Sequence, residues 1–263
     1  MTTPSENPDR DQRARRASSF GAQAAAYAEY RPDYPDAAVR WALEPVSGRP
    51  EIRVADLGAG TGKLTAALLR EDRVGVVAIE PDPAMLAELR AVLPGVSAMP
   101  GRAEEIPLPD ASVDAVVCGQ AAHWFDMDKA LPEIARVLAP GGVLAGLWNM
   151  DDNRVPWVAG LAEICPSTMT LGHWIEERGW PSAVEGSALY LPASRAEFPN
   201  GQVRTVDSLV AALGTHSRQL IMAPADRDEL LGRVRDYLPQ QPETAHGEFT
   251  MPMVTGVLRA IKR

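Results

Sequence analysis

Cysteines, basic residues and long apolar runs are all scarce in this chain of 263 residues. The two cysteines, Cys118 and Cys165, are too few for a disulfide framework and too far apart for a metal-binding motif. No apolar run approaches the roughly 18 residues that a membrane-spanning helix needs. The polar N-terminal residues do not contain the apolar core of a secretion signal. We therefore expect a cytoplasmic protein with no membrane partner and no bound metal.

Basic residues are outnumbered by acidic ones, 26 against 35, which gives a formal net charge of -9 at pH 7. Nucleic acids and anionic membranes select basic surfaces. The composition therefore disfavours a nucleic-acid partner, although a local basic groove could survive an acidic average. The chain is long enough to bury a substantial core, as one large domain or as a domain with a cap. Whether it is a monomer or a homodimer is left open.

What the chain does contain is an apolar run that ends in an acidic residue and is followed by alternating glycines. It reads VADLGAGTG over residues 54–62, and helix-forming residues follow. This predicts a strand, a tight turn and a helix, since glycine lets the backbone turn sharply and lets a ligand approach closely. Glu80 lies about 20 residues further on, where an acid at the tip of the second strand accepts hydrogen bonds from ribose hydroxyls.

The spacing of the glycines distinguishes two kinds of nucleotide site. A dinucleotide site needs G-x-G-x-x-G, whose third glycine would fall at position 63, which is Lys63. Here the third glycine is Gly62, and Asp56 precedes the loop. A carboxylate before the loop complements a cationic ligand. The pattern therefore favours a nucleoside ligand without a pyrophosphate, and it disfavours an oxidoreductase that uses a nicotinamide dinucleotide.

In order and spacing, these segments resemble the motifs of class I S-adenosylmethionine-dependent methyltransferases. The segments that match are 54–62, 77–86, 101–116 and 131–144. Residues 19–35 resemble the lead-in of the trans-aconitate methyltransferase subgroup. The resemblance is good over about residues 19–150 and loose beyond them. It implies S-adenosyl-L-methionine as the cofactor.

The resemblance also implies which residues bind that cofactor. Glu80 would bind the ribose, Met85 would lie near adenine, and residues 102–104 would meet the adenine edge. Two of these positions have plainer alternatives, since Met85 also fits a core position and residues 102–104 also fit a solvated charge cluster. The candidate cofactor residues are Tyr34, Asp56, Gly58, Ala59, Gly60, Gly62, Glu80, Pro81, Met85, Arg102, Ala103, Glu104 and Gln120.

The loop after the fourth predicted strand is the candidate acceptor side, because in this fold it usually sits beside the transferable methyl group. His123 is a candidate general base near neutral pH, or with Trp124 it shapes the pocket wall. The Gln120 amide could bind either the amino-acid end of the cofactor or a substrate. Arg31 could bind a carboxylate-bearing acceptor through its planar guanidinium group. Trp148 and Asn149, at the end of the fifth predicted strand, are further pocket candidates, and Trp148 is assigned to substrate binding.

Strands and helices alternate from Ile52 onwards, which predicts a doubly wound, mostly parallel Rossmann-like α/β sheet with helices on both faces. The expected strands are 52–57, 74–80, 96–99, 113–118 and 142–147. The expected helices between them are 62–70, 83–92 and 128–138. Residues 249–261 predict a closing strand in an edge or hairpin position.

The alternation stops after Trp148, and tryptophans and prolines favour a helical insertion over the carboxyl edge of the sheet. The predicted domains are a flexible tail at 1–18, a helical lid at 19–46, a methyltransferase core at 47–149 and 200–263, and the insertion at 150–199. In relatives such a lid folds over the cofactor. Its aromatic residues, Tyr34 among them, could instead pack the helices against the sheet.

Together these patterns predict an enzyme that transfers a methyl group from S-adenosylmethionine to a small-molecule acceptor by direct displacement. A sulfonium is already a strong methyl donor, so the protein mainly has to align the attacking atom. An oxygen nucleophile, carboxylate or hydroxyl, is favoured because a carboxylate is ionised at neutral pH and needs no base. Three alternatives stay open: N-methylation of a natural-product scaffold, its C-methylation, and a non-catalytic cofactor-binding module.

Overall fold

The structure is a computed structural model that describes residues 32–166, Thr170 and residues 180–263. The helices of this part are α1 (Asp36–Leu43), α2 (Lys63–Leu68), α3 (Pro83–Val92), α4 (Met127–Val137), α5 (Pro156–Ile164), α6 (Trp180–Glu185), α7 (Val206–Gly214), α8 (Ser217–Leu220) and α9 (Pro224–Tyr237). The strands are β1 (Ile52–Leu57), β2 (Val74–Ile79), β3 (Ser97–Met99), β4 (Val113–Gly119), β5 (Leu138–Asp151), β6 (Ser194–Pro199), β7 (Gln202–Arg204), β8 (Phe249–Met251) and β9 (Met253–Ile261). Short 3-10 helices span Glu44–Val46, Ala122–Trp124 and Leu238–Gln240.

Seven strands form the main sheet in the order β3-β2-β1-β4-β5-β9-β6. Pairing is parallel from β3 to β5, and β9 runs antiparallel to both β5 and β6. Successive residues of the central strands point to opposite faces, so that Val116 belongs to one apolar cluster and Val117 to another. Helices α1 and α2 cover one face, and α4 and α6 cover the other. The predicted doubly wound, mostly parallel sheet is confirmed.

The β/α alternation lies close to where the sequence predicts it. Strand β1 spans the predicted residues, β2 and β4 each differ from the prediction by one residue, and β3 starts one residue later than predicted. Helix α3 also spans its predicted residues. Its start is set locally, because the Asp82 carboxylate accepts hydrogen bonds from the N–H groups of Ala84 and Met85 at 2.8 and 3.0 Å, and Pro83 stands at the first helical position.

The prediction that residues 249–261 close the sheet in an edge or hairpin position is wrong, and one further strand was missed. Strand β9 is an interior strand between β5 and β6, not an edge strand, and its residues Val257 and Leu258 are buried on opposite faces. Strand β6 was not predicted at all, because as an edge strand it carries few apolar residues. The core sheet therefore resumes at Ser194, inside the segment that the sequence assigns to a helical insertion.

Helices α5, α7 and α9 share a second apolar core with the small β7-β8 sheet. Its members include Trp157, Leu161, Leu213, Val234 and Phe249, and the Trp157 and Phe249 rings meet edge to face at 5.8 Å. This helical unit comes from two chain segments, one after β5 and one between β6 and β9. The helical unit therefore extends beyond the predicted insertion at 150–199, since most of residues 202–251 belong to this unit rather than to the core sheet.

Helices that could cross a bilayer, both long and apolar enough, do not occur among the described residues. The predicted tail at 1–18 and the part of the lid before residue 32 lie outside these residues.

Candidate active site

The glycine loop, residues 58–62, joins β1 to α2 at the carboxyl edge of the sheet. Gly58, Gly60 and Gly62 have φ angles of 71°, 57° and 90°, in the left-handed region that glycine adopts without steric cost. The N–H groups of Gly58 and Ala59 donate to the carbonyl of Ile79 at 2.8 and 3.1 Å. The loop therefore turns over the end of β2, towards Glu80.

The space around the three glycines differs. A Cβ on Gly58 would lie 2.7 Å from the Cβ of Ala121, and one on Gly62 would lie 3.1 Å from Cγ of Leu89. A Cβ on Gly60 would meet nothing within 4 Å. Gly58 and Gly62 are thus required for close packing within the protein, whereas Gly60 borders open space that a ligand can occupy.

Glu80 follows β2 and ties the glycine loop to the start of α3. Its Oε2 accepts from the N–H of Gly60 and its Oε1 accepts from the N–H of Asp82, both at 2.8 Å. The residue is only 7% exposed. Burial raises the pKa of Glu80 above its ordinary value, and the two backbone donors oppose that rise. Each oxygen keeps acceptor capacity for a further donor.

Asp56, near the end of β1, is fully buried. Its Oδ2 accepts a hydrogen bond of 2.6 Å from the hydroxyl of Thr65, one turn into α2. Its Oδ1 is buried without a hydrogen-bond partner among the described residues. Burial raises the pKa of Asp56 to about 7, Thr65 opposes the rise, and the charge of Glu80 adds to it. The carboxyl end of β1 therefore holds a buried carboxyl group that a nearby cation would ionise.

Three buried polar atoms in or next to the glycine loop and the ends of β1 and β4 have no hydrogen-bond partner in the described part of the chain: Asp56 Oδ1, Thr61 Oγ1 and Gln120 Oε1. They come from the end of β1, from the glycine loop and from the residue after β4, which pairs with β1. Unmet polar groups are costly in a protein interior. Two acceptors and a hydroxyl suit a ligand with ammonium and carboxylate groups, so the residues present fit an amino-acid-bearing nucleoside.

The adenine-side candidates have mixed surroundings. Glu104 Oε1 accepts from the N–H of Asp126 at 2.8 Å, and its carboxylate lies 3.7 Å from the guanidinium of Arg102. The Arg102 side chain is 75% exposed, whereas Ala103 and Met85 are buried. Pro81 is exposed. Arg102 and Glu104 therefore form an ion pair that reaches solvent, on either side of the buried Ala103. The contact of residues 102–104 with adenine stays a prediction.

The segment after β4 brings together the acceptor-side candidates. Gln120 has a left-handed φ of 54°, and His123 and Trp124 lie in the 3-10 helix that follows. The His123 and Trp124 rings lie tilted at 46° to each other with their centroids 4.7 Å apart, and both residues are partly buried. A Cβ on Gly119 would lie 2.5 Å from the Tyr34 hydroxyl, so the Tyr34 ring closes over the end of β4. Tyr34 is also buried in the apolar cluster that it shares with α1 and α2, and its contact with the cofactor stays a prediction.

Trp148 lies in the apolar core next to α6. Its ring is buried in the core and meets Trp180 of α6 edge to face at 5.1 Å. Because side chains alternate along β5, Leu147 points to the opposite face. Trp148 therefore packs against α6, and its contact with a substrate stays a prediction. Arg31 lies outside the described residues.

Several polar residues at the site, Thr65 and Asn200 among them, were not predicted, whereas Asn149 was a predicted pocket candidate. Thr65 anchors Asp56, and Lys63 at the start of α2 pairs with Asp33 at 3.0 Å. Asn149 and Asn200 are buried and hydrogen-bonded to each other. The fully buried Thr65 had a visible signal, since it is a polar residue at a core position of a short helix. The hydrogen bond between Asn149 and Asn200 joins residues 51 positions apart, so no pattern of neighbouring residues in the sequence predicts it.

Comparisons with known proteins agree with this geometry. The methyltransferase domain family known as Methyltransf_11 matches residues 55–146, which hold the glycine loop, Glu80 and β4. An uncharacterized methyltransferase of Mycobacterium tuberculosis is 42% identical over 244 residues, covering 92% of this chain and 95% of the relative. A malonyl-[acyl-carrier protein] O-methyltransferase of Methylococcus capsulatus is 37% identical over 121 residues, 43% of this chain and 44% of that protein.

Among solved structures, a protein from Anaeromyxobacter dehalogenans assigned to the type II methyltransferases superposes with a TM-score of 0.55. The two sequences are 25% identical, and the match covers 89% of this chain and 97% of the Anaeromyxobacter chain. The chain belongs to the methyltransferase family, in the class I, S-adenosylmethionine-dependent group. Its cofactor is S-adenosyl-L-methionine.

Replacing Glu80 by alanine tests the ribose side of the site. The variant loses both backbone hydrogen bonds and a charged acceptor, so we expect cofactor affinity to fall by about 1–3 kcal/mol, roughly 5- to 150-fold. Titration calorimetry with S-adenosylhomocysteine measures the change. The control is Glu51→Ala, which removes an exposed carboxylate just before β1, at the opposite edge of the sheet. Equal affinity in the Glu80 variant and this control would contradict the assignment.

Proposed function

We propose that this methyltransferase transfers the methyl group to an oxygen atom of a small molecule, preferably a carboxylate oxygen. The observation that carries methyl transfer is the glycine loop flanked by two buried carboxyl groups, Asp56 and Glu80. Two observations favour oxygen. The Methylococcus relative is named as an O-methyltransferase of a malonyl group, and residues 19–35 resemble the lead-in of the trans-aconitate methyltransferases. Because of this resemblance of residues 19–35, we also propose that the chain belongs to the trans-aconitate methyltransferase subgroup.

The proposed roles follow from the contacts. The glycine loop and Glu80 hold the nucleoside, Asp56 offsets its positive charge, and Tyr34 and Gln120 border the amino-acid end. When bound, S-adenosylmethionine supplies an electrophilic methyl group on a sulfonium. The task left to the protein is to exclude water and to orient the acceptor oxygen for in-line attack. Helix α5 begins shortly after the carboxyl end of β5, so we assign the acceptor side to the helical unit.

The acceptor is identified by incubating the protein with isotopically labelled S-adenosylmethionine and a fractionated metabolite extract, followed by mass spectrometry. We expect the label in a methyl ester, which alkaline hydrolysis releases as methanol. A Gly60→Val variant serves as the inactive control. Label that survives hydrolysis, bound to nitrogen or carbon, would contradict the proposal and support methylation of those atoms. Binding of the cofactor without transfer to any fraction would support the non-catalytic module.

His123 distinguishes carboxylate acceptors from hydroxyl acceptors. A carboxylate is already ionised at neutral pH, so no group has to remove a proton from it. We therefore expect His123→Ala to raise KM for the acceptor by a few fold, through the loss of packing against Trp124. We expect kcat at saturating cofactor to stay within about threefold of wild type between about pH 6 and 9.

The matched control is Trp124→Leu, which alters the same wall without touching a titratable group. A fall in kcat of about 100-fold or more in His123→Ala alone, with a lost pH inflection, would make His123 a general base. That result would replace the carboxylate by a hydroxyl acceptor.

A further inference from the structure

Gln120 is held in an uncommon conformation by two hydrogen bonds. Its φ of 54° lies in the left-handed region that residues with a Cβ rarely adopt. Its N–H donates to the carbonyl of Leu147 at 2.9 Å, and its Nε2 donates to the carbonyl of Asn149 at 2.8 Å. A carbonyl can only accept, so the amide must turn its NH2 group towards Asn149. Its oxygen is thereby left facing away.

That oxygen, Gln120 Oε1, is buried and has no donor among the described residues. A buried acceptor without a donor costs free energy. Strained backbone persists where the surrounding structure fixes it, and such positions cluster at functional sites. The amide orientation leaves Gln120 with a free acceptor rather than a free donor. It therefore suits a ligand group that donates hydrogen bonds, and it cannot bind a carboxylate through this oxygen.

The carbonyl that orients Gln120 belongs to a residue whose side chain is fully engaged. Asn149 Nδ2 donates to the carbonyls of Pro32 and Asp33 at 3.3 and 3.2 Å. Its Oδ1 accepts from Asn200 Nδ2 at 2.9 Å and from the Thr255 hydroxyl at 2.6 Å. These four bonds use two donors and two acceptor sites, which is the whole capacity of an amide side chain. Asn149 is therefore fixed from several directions.

Asn200 is the outermost member of this network. It lies in the turn between β6 and β7, beyond residues 55–146 that match the methyltransferase domain. Its Nδ2 donates to the carbonyl of Asp33 at 2.8 Å as well as to Asn149, and its Oδ1 accepts from Gln202 at 3.0 Å. Asn200 and Thr255 are both buried. A continuous chain of hydrogen bonds thus runs from the β6-β7 turn and from β9 to the carboxyl edge of β4.

We propose that Asn200 and Thr255 are positioning residues for cofactor binding. By holding Asn149 they fix the carbonyl that orients the Gln120 amide, so that Gln120 Oε1 accepts a hydrogen bond from the ammonium group of the cofactor. The proposal rests on the proposed place of Gln120 in the cofactor site. Neither Asn200 nor Thr255 touches the ligand, and both act through the amide of another residue.

The same network also holds the backbone at Pro32 and Asp33, so a purely structural role needs to be separated from positioning. A double-mutant cycle separates the two. Thr255→Val is nearly isosteric and removes one donor to Asn149. Gln120→Met keeps the side-chain length and removes the amide. Each is prepared alone and combined, and affinity for S-adenosylhomocysteine is measured by titration calorimetry alongside thermal denaturation.

We expect Gln120→Met alone to weaken binding about tenfold and Thr255→Val alone about fivefold. In the Gln120→Met background, Thr255→Val should change affinity less than about twofold, while it still lowers the melting temperature. The deaminated analogue of S-adenosylhomocysteine should bind wild type and Gln120→Met with equal affinity. Asn200→Ser should show the same dependence on the Gln120 amide as Thr255→Val. If Asn200→Ser does not fold, Thr255→Val alone is the test.

The control is Thr244→Val. Thr244 is buried in the helical unit, and its hydroxyl donates to the carbonyl of Leu238. This change should lower the melting temperature without altering affinity. Equal losses from Thr255→Val with and without the Gln120 amide would overturn the positioning proposal and leave the cofactor role of Gln120 intact. Unchanged affinity in Gln120→Met alone would overturn both.

Discussion

Replacing Gly60 by valine should weaken S-adenosylmethionine binding by at least about 100-fold, or about 3 kcal/mol. Gly60 has a φ of 57°, and a Cβ built on it meets no protein atom within 4 Å. The protein alone therefore has room for the side chain, which projects into the space that the ligand needs. A β-branched residue is also poorly suited to a positive φ.

Backbone strain is separated from blockage by Gly141→Val. Gly141 has a φ of 69° and also has no atom within 4 Å of an added Cβ, but it lies near the amino end of β5, at the opposite edge of the sheet. Both variants should show a similar fall in melting temperature, of the size expected for about 1–2 kcal/mol of strain. Only Gly60→Val should lose affinity in calorimetry. Loss of binding in both, or in neither, would show that the glycine loop does not contact the ligand.

Asp56→Asn should stabilise the free protein and weaken its cofactor binding. The unfolded-state pKa of an aspartate is about 3.9, whereas burial raises the pKa of Asp56 in the fold to about 7. Folding therefore takes up a proton between these values, and the contribution of Asp56 to stability falls as the pH rises through this window. Asparagine is neutral at every pH and can still accept the hydrogen bond from Thr65.

At about pH 8 we expect the variant to gain on the order of 2–4 kcal/mol of unfolding free energy, and at about pH 4 the gain should vanish. Wild-type affinity for S-adenosylhomocysteine should fall up to about tenfold per pH unit below pH 7, because the ammonium group then meets a protonated carboxyl. Affinity in the variant should be lower and nearly independent of pH. Chemical denaturation and calorimetry at both pH values measure these quantities.

The control for this prediction is Asp72→Asn, which changes an exposed carboxylate between α2 and β2. Its stability and affinity should both stay near those of wild type. If Asp56→Asn gained stability without losing affinity, Asp56 would be a buried polar residue with no contact to the positive charge of the ligand.

The first half of the fold is predictable because its signals are local. An apolar run that ends in Asp56, alternating glycines with left-handed φ angles and an N-cap at Asp82 each act within a few residues of the chain. The position of Glu80 follows from the same alternation of strands and helices, because the residue after a parallel strand lies at the carboxyl edge of the sheet. These features also explain why the cofactor could be inferred before the acceptor.

What could not be predicted depends on contacts between distant segments. Strand β6 has few apolar residues, because one of its edges is exposed, and its place in the sheet is decided by pairing with β9. Trp148 has the same local sequence signal as a pocket residue, and only the position of α6 shows that its ring is buried. The hydrogen bond from Asn200 to Asn149 likewise exists only after β6 has joined the sheet.

The interior position of β9 has a consequence for how the chain is made. Residues 253–261 pair with β5 on one side and with β6 on the other, so a strand that is made after both of its partners lies between them in the finished sheet. Until they emerge, the outer edge of β5 presents unpaired backbone groups to other nascent chains. Parallel pairing of β3, β2, β1, β4 and β5 does not depend on β9, whereas the outer edge of β5 stays open until β9 has been made.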